Sequence, residues 1–76
     1  MMKKRLNEML YDQEGIVVSI DTAVRRQLAG MGIRMGKKIK MITKEPWKGP
    51  VVLLIDQAHI SLGIGIADKV IVEVSG

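Results

Sequence analysis

Short aliphatic runs separated by turns rich in glycine, proline and aspartate are the feature that most constrains the fold of this chain. Five runs have the length and residue types of β-strands, and they cover residues 16–20, 37–44, 51–55, 59–62 and 70–74. Strands of this length at regular spacing predict a mainly β fold. A chain of 76 residues without cysteine must wrap a thin core economically, and closing the strands into a barrel does this. We therefore predict one domain, residues 1–76, that forms a small closed barrel of about five strands.

One α-helix is expected after the first strand. Its apolar residues recur at i, i+4 and i+7 and share one helical face: Val24, Leu28 and Met31. Asp21 or Thr22 is expected to cap its start. Gly32 is placed to adopt the left-handed conformation that ends a helix, and Gly36 to do the same in a following turn. Residues 63–68 predict a bend or a single helical turn.

The segment from Leu6 to Leu10 is expected to form a short helical turn or an edge segment. Its apolar residues, Leu6, Met9 and Leu10, are predicted to lie on the core. In the strand of residues 37–44, alternation predicts that Ile39, Met41 and Thr43 share one face. The residues before Leu6 are basic, and no strand is predicted there.

Positive charge is concentrated in the first two-thirds of the chain. Eleven basic and five acidic residues give residues 1–48 a charge of +6, whereas residues 49–76 carry −2. Such a field attracts acidic partners, anionic lipid headgroups or nucleic acid. The alternative is a solvated surface that keeps a small domain dispersed.

The sequence contains few candidates for reactive chemistry. His59 is the single histidine, and with Asp56 it makes at most an incomplete ligand pair for Fe(II) or another divalent metal. The glycines before Lys37 do not fit a phosphate-binding loop. Met31 stands where the motif requires its first glycine, and Lys38 stands where it requires serine or threonine. We expect neither an enzyme nor a resident cofactor. No apolar run approaches the roughly 20 residues of a membrane-spanning helix, and a cytoplasmic location is expected.

The loop of residues 45–50 has an unusual composition. Trp47 lies between Pro46 and Pro50 and is followed by Lys48. A tryptophan in a loop that prolines restrict can anchor a protein in a partner's pocket at low entropic cost. The alternative is that its ring folds back and caps one end of the barrel.

The order of these segments resembles the FeoA family. The most specific stretch is R-R-x-L-x-x-M-G-I-x-x-G over residues 25–36, followed by Gly49-Pro50 before an apolar strand. The resemblance covers roughly residues 6–74 and implies an SH3-like β-barrel with a helix inserted after the first strand. It also implies a partner, the GTPase-coupled ferrous iron permease of the cytoplasmic membrane. The same barrel is similar to a domain of metal-dependent repressors, but the sequence has no helix-turn-helix to read DNA.

Three hypotheses of function follow. In the first, the protein docks on the permease and modulates Fe(II) uptake through a set of surface residues: Pro46, Trp47, Lys48, Pro50, Arg25, Arg26 and Arg34. In the second, it is a small basic barrel that binds nucleic acid, with an affinity that falls steeply with salt. In the third, it carries or senses Fe(II) through His59 and neighbouring carboxylates. Self-association through outward apolar residues such as Ile42 and Ile71 is left open.

Overall fold

The computed structural model describes residues 1–44 and 49–75. In these residues, six strands form one antiparallel sheet. The strands are β1 (Met2–Arg5), β2 (Glu14–Ile20), β3 (Lys38–Lys44), β4 (Val51–Ile55), β5 (Ala58–Leu62) and β6 (Val70–Val74). Two helices, α1 (Thr22–Ala29) and α2 (Ile64–Ala67), and a 3-10 turn (Leu6–Glu8) join them. The five predicted strands, the inserted helix and the helical turn near residue 65 are confirmed.

Strand β1 is the element that the sequence did not predict. It pairs antiparallel with β6, where Lys3 lies opposite Glu73 and Arg5 lies opposite Ile71. Because β1 forms one edge of the sheet, it has a strand neighbour on one side only and needs few apolar side chains. Its hydrogen bonds to a strand some 70 residues away specify it, and local composition carries no sign of them.

The sheet curls around the core, but its hydrogen-bonded ladder is open. The strand order is β1-β6-β2-β3-β4-β5, and β1 does not pair with β5 in residues 1–44 and 49–75. The prediction of a closed barrel is therefore corrected to a small barrel-like sheet. The 3-10 turn directly follows β1, α2 directly follows β5, and the two contact each other. They thus link the ends of the two edge strands.

The core is entirely apolar. Among the described residues it holds 17 buried hydrophobic side chains and no buried polar or charged side chain. Strands β4 and β6 alternate between buried and half-buried positions, with Val70, Val72 and Val74 inward as predicted. Leu6 and Met9 are fully buried, so the predicted apolar contact of this segment with the core is confirmed for both residues.

Two predicted side-chain positions were wrong, Leu10 on the core and Thr43 on the same face as Ile39 and Met41. Leu10 is 61% exposed, because the chain reverses directly after Met9 in a turn that the Gln13 N–H closes on the Leu10 carbonyl. Thr43 is also exposed, since an irregularity in the β3–β4 register between Met41 and Thr43 interrupts the alternation of β3.

Local hydrogen bonds fix both ends of α1. The Asp21 carboxylate accepts from the Ala23 N–H at 2.9 Å, which confirms it as the N-cap. At the other end, Gly32 has a φ of +86°. Its N–H donates to the Ala29 carbonyl at 3.1 Å, and the Ile33 N–H donates to the Leu28 carbonyl at 2.9 Å. This pair of bonds is a Schellman motif, and it turns the chain sharply across the end of the helix.

Candidate functional site

An open groove of about 270 Å³ lies where the end of β2, one side of α1 and the chain after α1 meet. We call it the arginine groove. Six residues line it: Ile20, Arg25, Ala29, Ile33, Arg34 and Met35. Four of these side chains are aliphatic or thioether groups, and the other two carry guanidinium groups.

The Schellman motif builds one wall of the arginine groove. Because the chain reverses at Gly32, Ile33 is fully buried beside α1. Arg34 and Met35 then run back past the last turn of α1. Gly36, with a φ of +89°, then completes a turn in which the Lys37 N–H donates to the Arg34 carbonyl at 3.1 Å. The turn leads directly into β3. Arg34 and Met35 are therefore held at the groove by two turns that each depend on a left-handed glycine.

Hydrogen bonds to the main chain hold both guanidinium groups at the groove. Arg25 Nη2 donates to the Ile20 carbonyl and Arg34 Nη2 donates to the Ala29 carbonyl, each at 3.3 Å. A guanidinium has five N–H donors, so each side chain keeps further donors for a ligand. Within residues 1–44 and 49–75, neither arginine forms an ion pair. Their charges are thus available to a partner.

Three other basic side chains, by contrast, are paired with acids. Three ion pairs are formed in the described part of the chain: Arg5–Asp68, Lys37–Asp56 and Lys38–Glu14. All three lie at the surface, where such pairs contribute at most about 1 kcal/mol to stability. Each acid also offsets a positive charge that a count from the sequence treats as free.

The lining of the arginine groove suits binding rather than catalysis. Met35 is 56% exposed at its rim, and Ile20, Ala29 and Ile33 supply apolar surface. Guanidinium groups stay protonated at ordinary pH and cannot act as general bases. The groove therefore fits a ligand that places an aliphatic side chain inside and a carboxylate at the rim, where bidentate arginine contacts form.

The predicted docking residues that the structure describes do not all lie in one place. Arg25 and Arg34 line the same groove, whereas Arg26 is exposed on α1 and does not line it. Pro50 is exposed next to the start of β4, which pairs with the last residue of β3. The arginine groove lies before the first residue of β3, so the length of that strand, roughly 20 Å, separates the two regions. Pro46, Trp47 and Lys48 fall outside the described residues.

A contact that the sequence did not predict lies at the end of β3. Tyr11 Oη donates to the Lys44 carbonyl at 3.3 Å, and the Lys44 ammonium lies 5.8 Å from the centre of the Tyr11 ring. Leu10 and Tyr11 are both more than half exposed, so apolar surface is present near the last residue of β3.

The two candidate metal ligands lie on the β4–β5 hairpin. Asp56 is in its turn and His59 is exposed on β5, and the Asp56 carboxylate is paired with the Lys37 ammonium. The described residues contain no group of three or more histidine, aspartate or glutamate side chains that could hold a metal ion. None of the helices described is long and apolar enough to cross a membrane.

Comparison with known proteins places this architecture in a family. The family model of the FeoA domain matches residues 4–74. The chain belongs to the FeoA family. A relative from Methanocaldococcus jannaschii, provisionally named Fe(2+) transport protein A, is 36% identical to this FeoA over 63 residues, which are 80% of this chain and 74% of the relative.

Solved structures agree with this assignment. The crystal structure of an iron uptake regulatory protein (FeoA) superposes with a TM-score of 0.88 at 30% identity and covers 97% of this chain and 100% of its own. A FeoA-like protein from Clostridium acetobutylicum gives a TM-score of 0.84 at 30% identity, over 97% of this chain and 88% of its own. These matches confirm the SH3-like fold that the sequence resemblance implied.

A third similar structure shares the fold alone. A manganese-dependent transcriptional repressor gives a TM-score of 0.85 at 22% identity, and the match covers 96% of this chain but 42% of the repressor. The predicted likeness between this fold and part of a metal-dependent repressor is thereby confirmed.

Proposed function

We propose that this FeoA protein is a non-enzymatic accessory module that docks, in the cytoplasm, on the GTPase-coupled ferrous iron permease and modulates Fe(II) uptake. Membership of the FeoA family supports the link to iron, as do relatives named for Fe(2+) transport and for iron uptake regulation. The observation that carries docking is the arginine groove, where Arg25 and Arg34 flank an apolar surface. A surface with this composition recognises macromolecules by shape and charge.

The arginine groove selects the kind of permease segment that docks. Its apolar lining takes one aliphatic side chain, whose full burial is worth roughly 1.5–3 kcal/mol. A carboxylate on the same segment meets Arg25 or Arg34, and a charge-assisted hydrogen bond of this kind adds about 1.5–3 kcal/mol. The sum falls short of the roughly 8 kcal/mol of a micromolar complex. Docking therefore requires further contacts outside the groove.

We assign the additional contacts to the loop of residues 45–50 and to Arg26. Trp47 supplies a large apolar anchor, and Lys48 adds positive charge next to it. Since β3 separates Pro50 from the arginine groove, a permease surface that engages both must extend for roughly 20 Å. An interface of standard size easily spans this distance.

A pull-down with the detergent-solubilised permease tests the proposal. The tagged wild type, Arg25→Glu/Arg34→Glu, Arg26→Glu and Trp47→Ala are compared at equal concentration. We expect the double variant to lose most of the captured permease, because both groove charges are inverted. Arg26→Glu inverts one exposed charge outside the groove lining and tests the weaker contact assigned to Arg26, so a smaller loss is expected.

Trp47→Ala separates the loop from the groove in the same assay. A loss of capture with an unchanged melting temperature assigns Trp47 to the permease contact. Unchanged capture by Trp47→Ala removes the loop from the proposal, and a large fall in melting temperature shows instead that the ring caps the barrel. If the groove double variant is folded and captures as much permease as the wild type, docking through the arginine groove is wrong.

A further inference from the structure

The outer edge of β5 is an unprotected strand edge. Its sequence, A-H-I-S-L over residues 58–62, has no proline, lysine, arginine or acidic residue, and its register with β4 has no bulge. Strand β5 pairs with β4 alone, and no backbone hydrogen bond reaches its other side within residues 1–44 and 49–75. Proteins usually block such edges with charge, proline or a bulge, because an open edge accepts a further strand.

The hairpin geometry shows which backbone groups face outward. Asp56 and Gln57 have φ values of +49° and +70°, as in a two-residue type I′ turn. In such a hairpin the flanking residues, Ile55 and Ala58, form a hydrogen-bonded pair, and hydrogen-bonded and non-hydrogen-bonded pairs then alternate. The N–H and C=O groups of His59 and Ser61 therefore point away from β4.

We propose that β5 pairs antiparallel with β5 of a second copy of this chain, with Ile60 opposite Ile60 at the two-fold axis. In this register His59 of each copy lies opposite Ser61 of the other. The outward groups of both residues then form four backbone hydrogen bonds across the axis. The two sheets join into one continuous sheet. The half-buried Ile60 side chains of the two copies meet at the centre of the joined sheet. This contact makes the apolar surfaces of the two copies continuous.

Charge favours a second copy as the occupant of this edge. The paired segments contain no acidic or basic residue apart from the two imidazoles, and each imidazole faces a serine hydroxyl. The opposite edge of the sheet behaves differently. Strand β1 carries Lys3, Lys4 and Arg5, so antiparallel pairing of β1 with itself would oppose like charges. Self-association is therefore directed to β5.

The expected dimer is weak and independent of docking on the permease. One added strand pair lies at the small end of specific interfaces, so the association is expected to depend on protein concentration. Strands β3 and β4 separate β5 from β2, which contributes Ile20 to the arginine groove. Pairing at β5 leaves the groove open, so failure of one proposal does not imply failure of the other.

Sedimentation equilibrium of wild type, Ser61→Pro and Ser61→Ala tests the pairing. The Ser61 N–H faces outward, so proline removes two of the four hydrogen bonds of the dimer, one from each copy, and spares the β4 ladder. We expect Ser61→Pro to weaken dimerisation at least about tenfold, and Ser61→Ala, which keeps the N–H, to stay within about threefold of the wild type. A wild type that remains monomeric up to about 1 mM overturns the proposal. A folded Ser61→Pro variant that dimerises like Ser61→Ala also overturns it.

Cysteine crosslinking tests the register without relying on the fold of the proline variant. The chain has no cysteine, so single-cysteine variants report one position each. At the two-fold axis, Ile60→Cys brings two Cα atoms to about 4.5 Å, within disulfide range. His59→Cys is more exposed, but its two copies are separated by more than roughly 7 Å. We expect Ile60→Cys to form the covalent dimer faster on mild oxidation, and a faster His59→Cys contradicts the register.

Discussion

The arginine groove and the outer edge of β5 are both open to partners, but they present different chemistry. The groove combines apolar walls with the charges of Arg25 and Arg34. The edge of β5 offers uncharged backbone donors and acceptors in a regular array. Charge thus decides the occupant, because two cations reject a second copy of a basic protein and attract an acidic segment. The edge of β5 carries no such charge, so it can pair with β5 of a second copy.

The two surfaces also differ in what supports them. A helix end and two glycine-dependent turns hold the arginine groove in place, and these elements are close in sequence. The β5 edge depends on a single tight hairpin with β4. Substitutions in the helix end should therefore alter the groove and leave the pairing capacity of β5 intact, as long as the protein is folded.

The largest effect is expected for Leu28→Ala. Leu28 is fully buried beneath the Schellman motif, and truncating a buried leucine costs about 2–5 kcal/mol. At about 0.05–0.15 kcal/mol per residue, the stability of a 76-residue chain is about 4–11 kcal/mol. The variant should therefore show a much lower urea midpoint by circular dichroism. Leu10→Ala, at an exposed leucine, is the control and should change the free energy of unfolding by less than about 0.5 kcal/mol. Equal effects of the two substitutions would contradict the assigned core.

A smaller effect is expected for Gly32→Ala, which should alter the arginine groove and leave the edge of β5 intact. A side chain at a φ of +86° costs about 1–2 kcal/mol, because its Cβ crowds the following carbonyl oxygen. The turn that carries Arg34 should shift, so capture of the permease should fall while self-association through β5 persists. Gly65→Ala in α2 meets no atom within 4 Å and is the matched control. It should leave capture unchanged and raise the free energy of unfolding by at most about 1 kcal/mol, the helix preference for alanine over glycine. A loss of stability as large as that of Gly32→Ala would contradict the role assigned to the left-handed turn.

Much of the fold could be predicted because its signals are local. Asp21 before a helical pattern indicates an N-cap, and Gly32 after it indicates the left-handed end; both need a few neighbouring residues only. Alternation predicted the inward valines of β6 for the same reason. The exposure of Thr43 could not be predicted, because the irregularity in β3 depends on the pairing of β3 with β4. The exposure of Leu10 could not be predicted either, because it depends on a turn in which Asp12 has a φ of +63°. An aspartate does not by itself require this conformation.

The candidate site could be predicted in part only. The positions of Arg25 and Arg34 on exposed segments follow from helical periodicity and from the turn after α1. Their shared groove does not, because it depends on where β2 places Ile20 relative to α1. Met35 was missed as a groove residue for the same reason. Trp47 between two prolines is a distinctive sequence signal, whereas no residue of the groove is comparably distinctive.

Fe(II) uptake by cells that lack this protein tests the central claim most directly, since the claim is that the groove acts on transport through a partner. The cells are complemented with wild type, Arg26→Glu or Arg25→Glu/Arg34→Glu at matched protein levels, and initial Fe(II) uptake rates are measured. We predict that the wild type restores the rate of normal cells, that Arg26→Glu restores most of it, and that the folded double variant does not. Full restoration by the double variant would contradict the account.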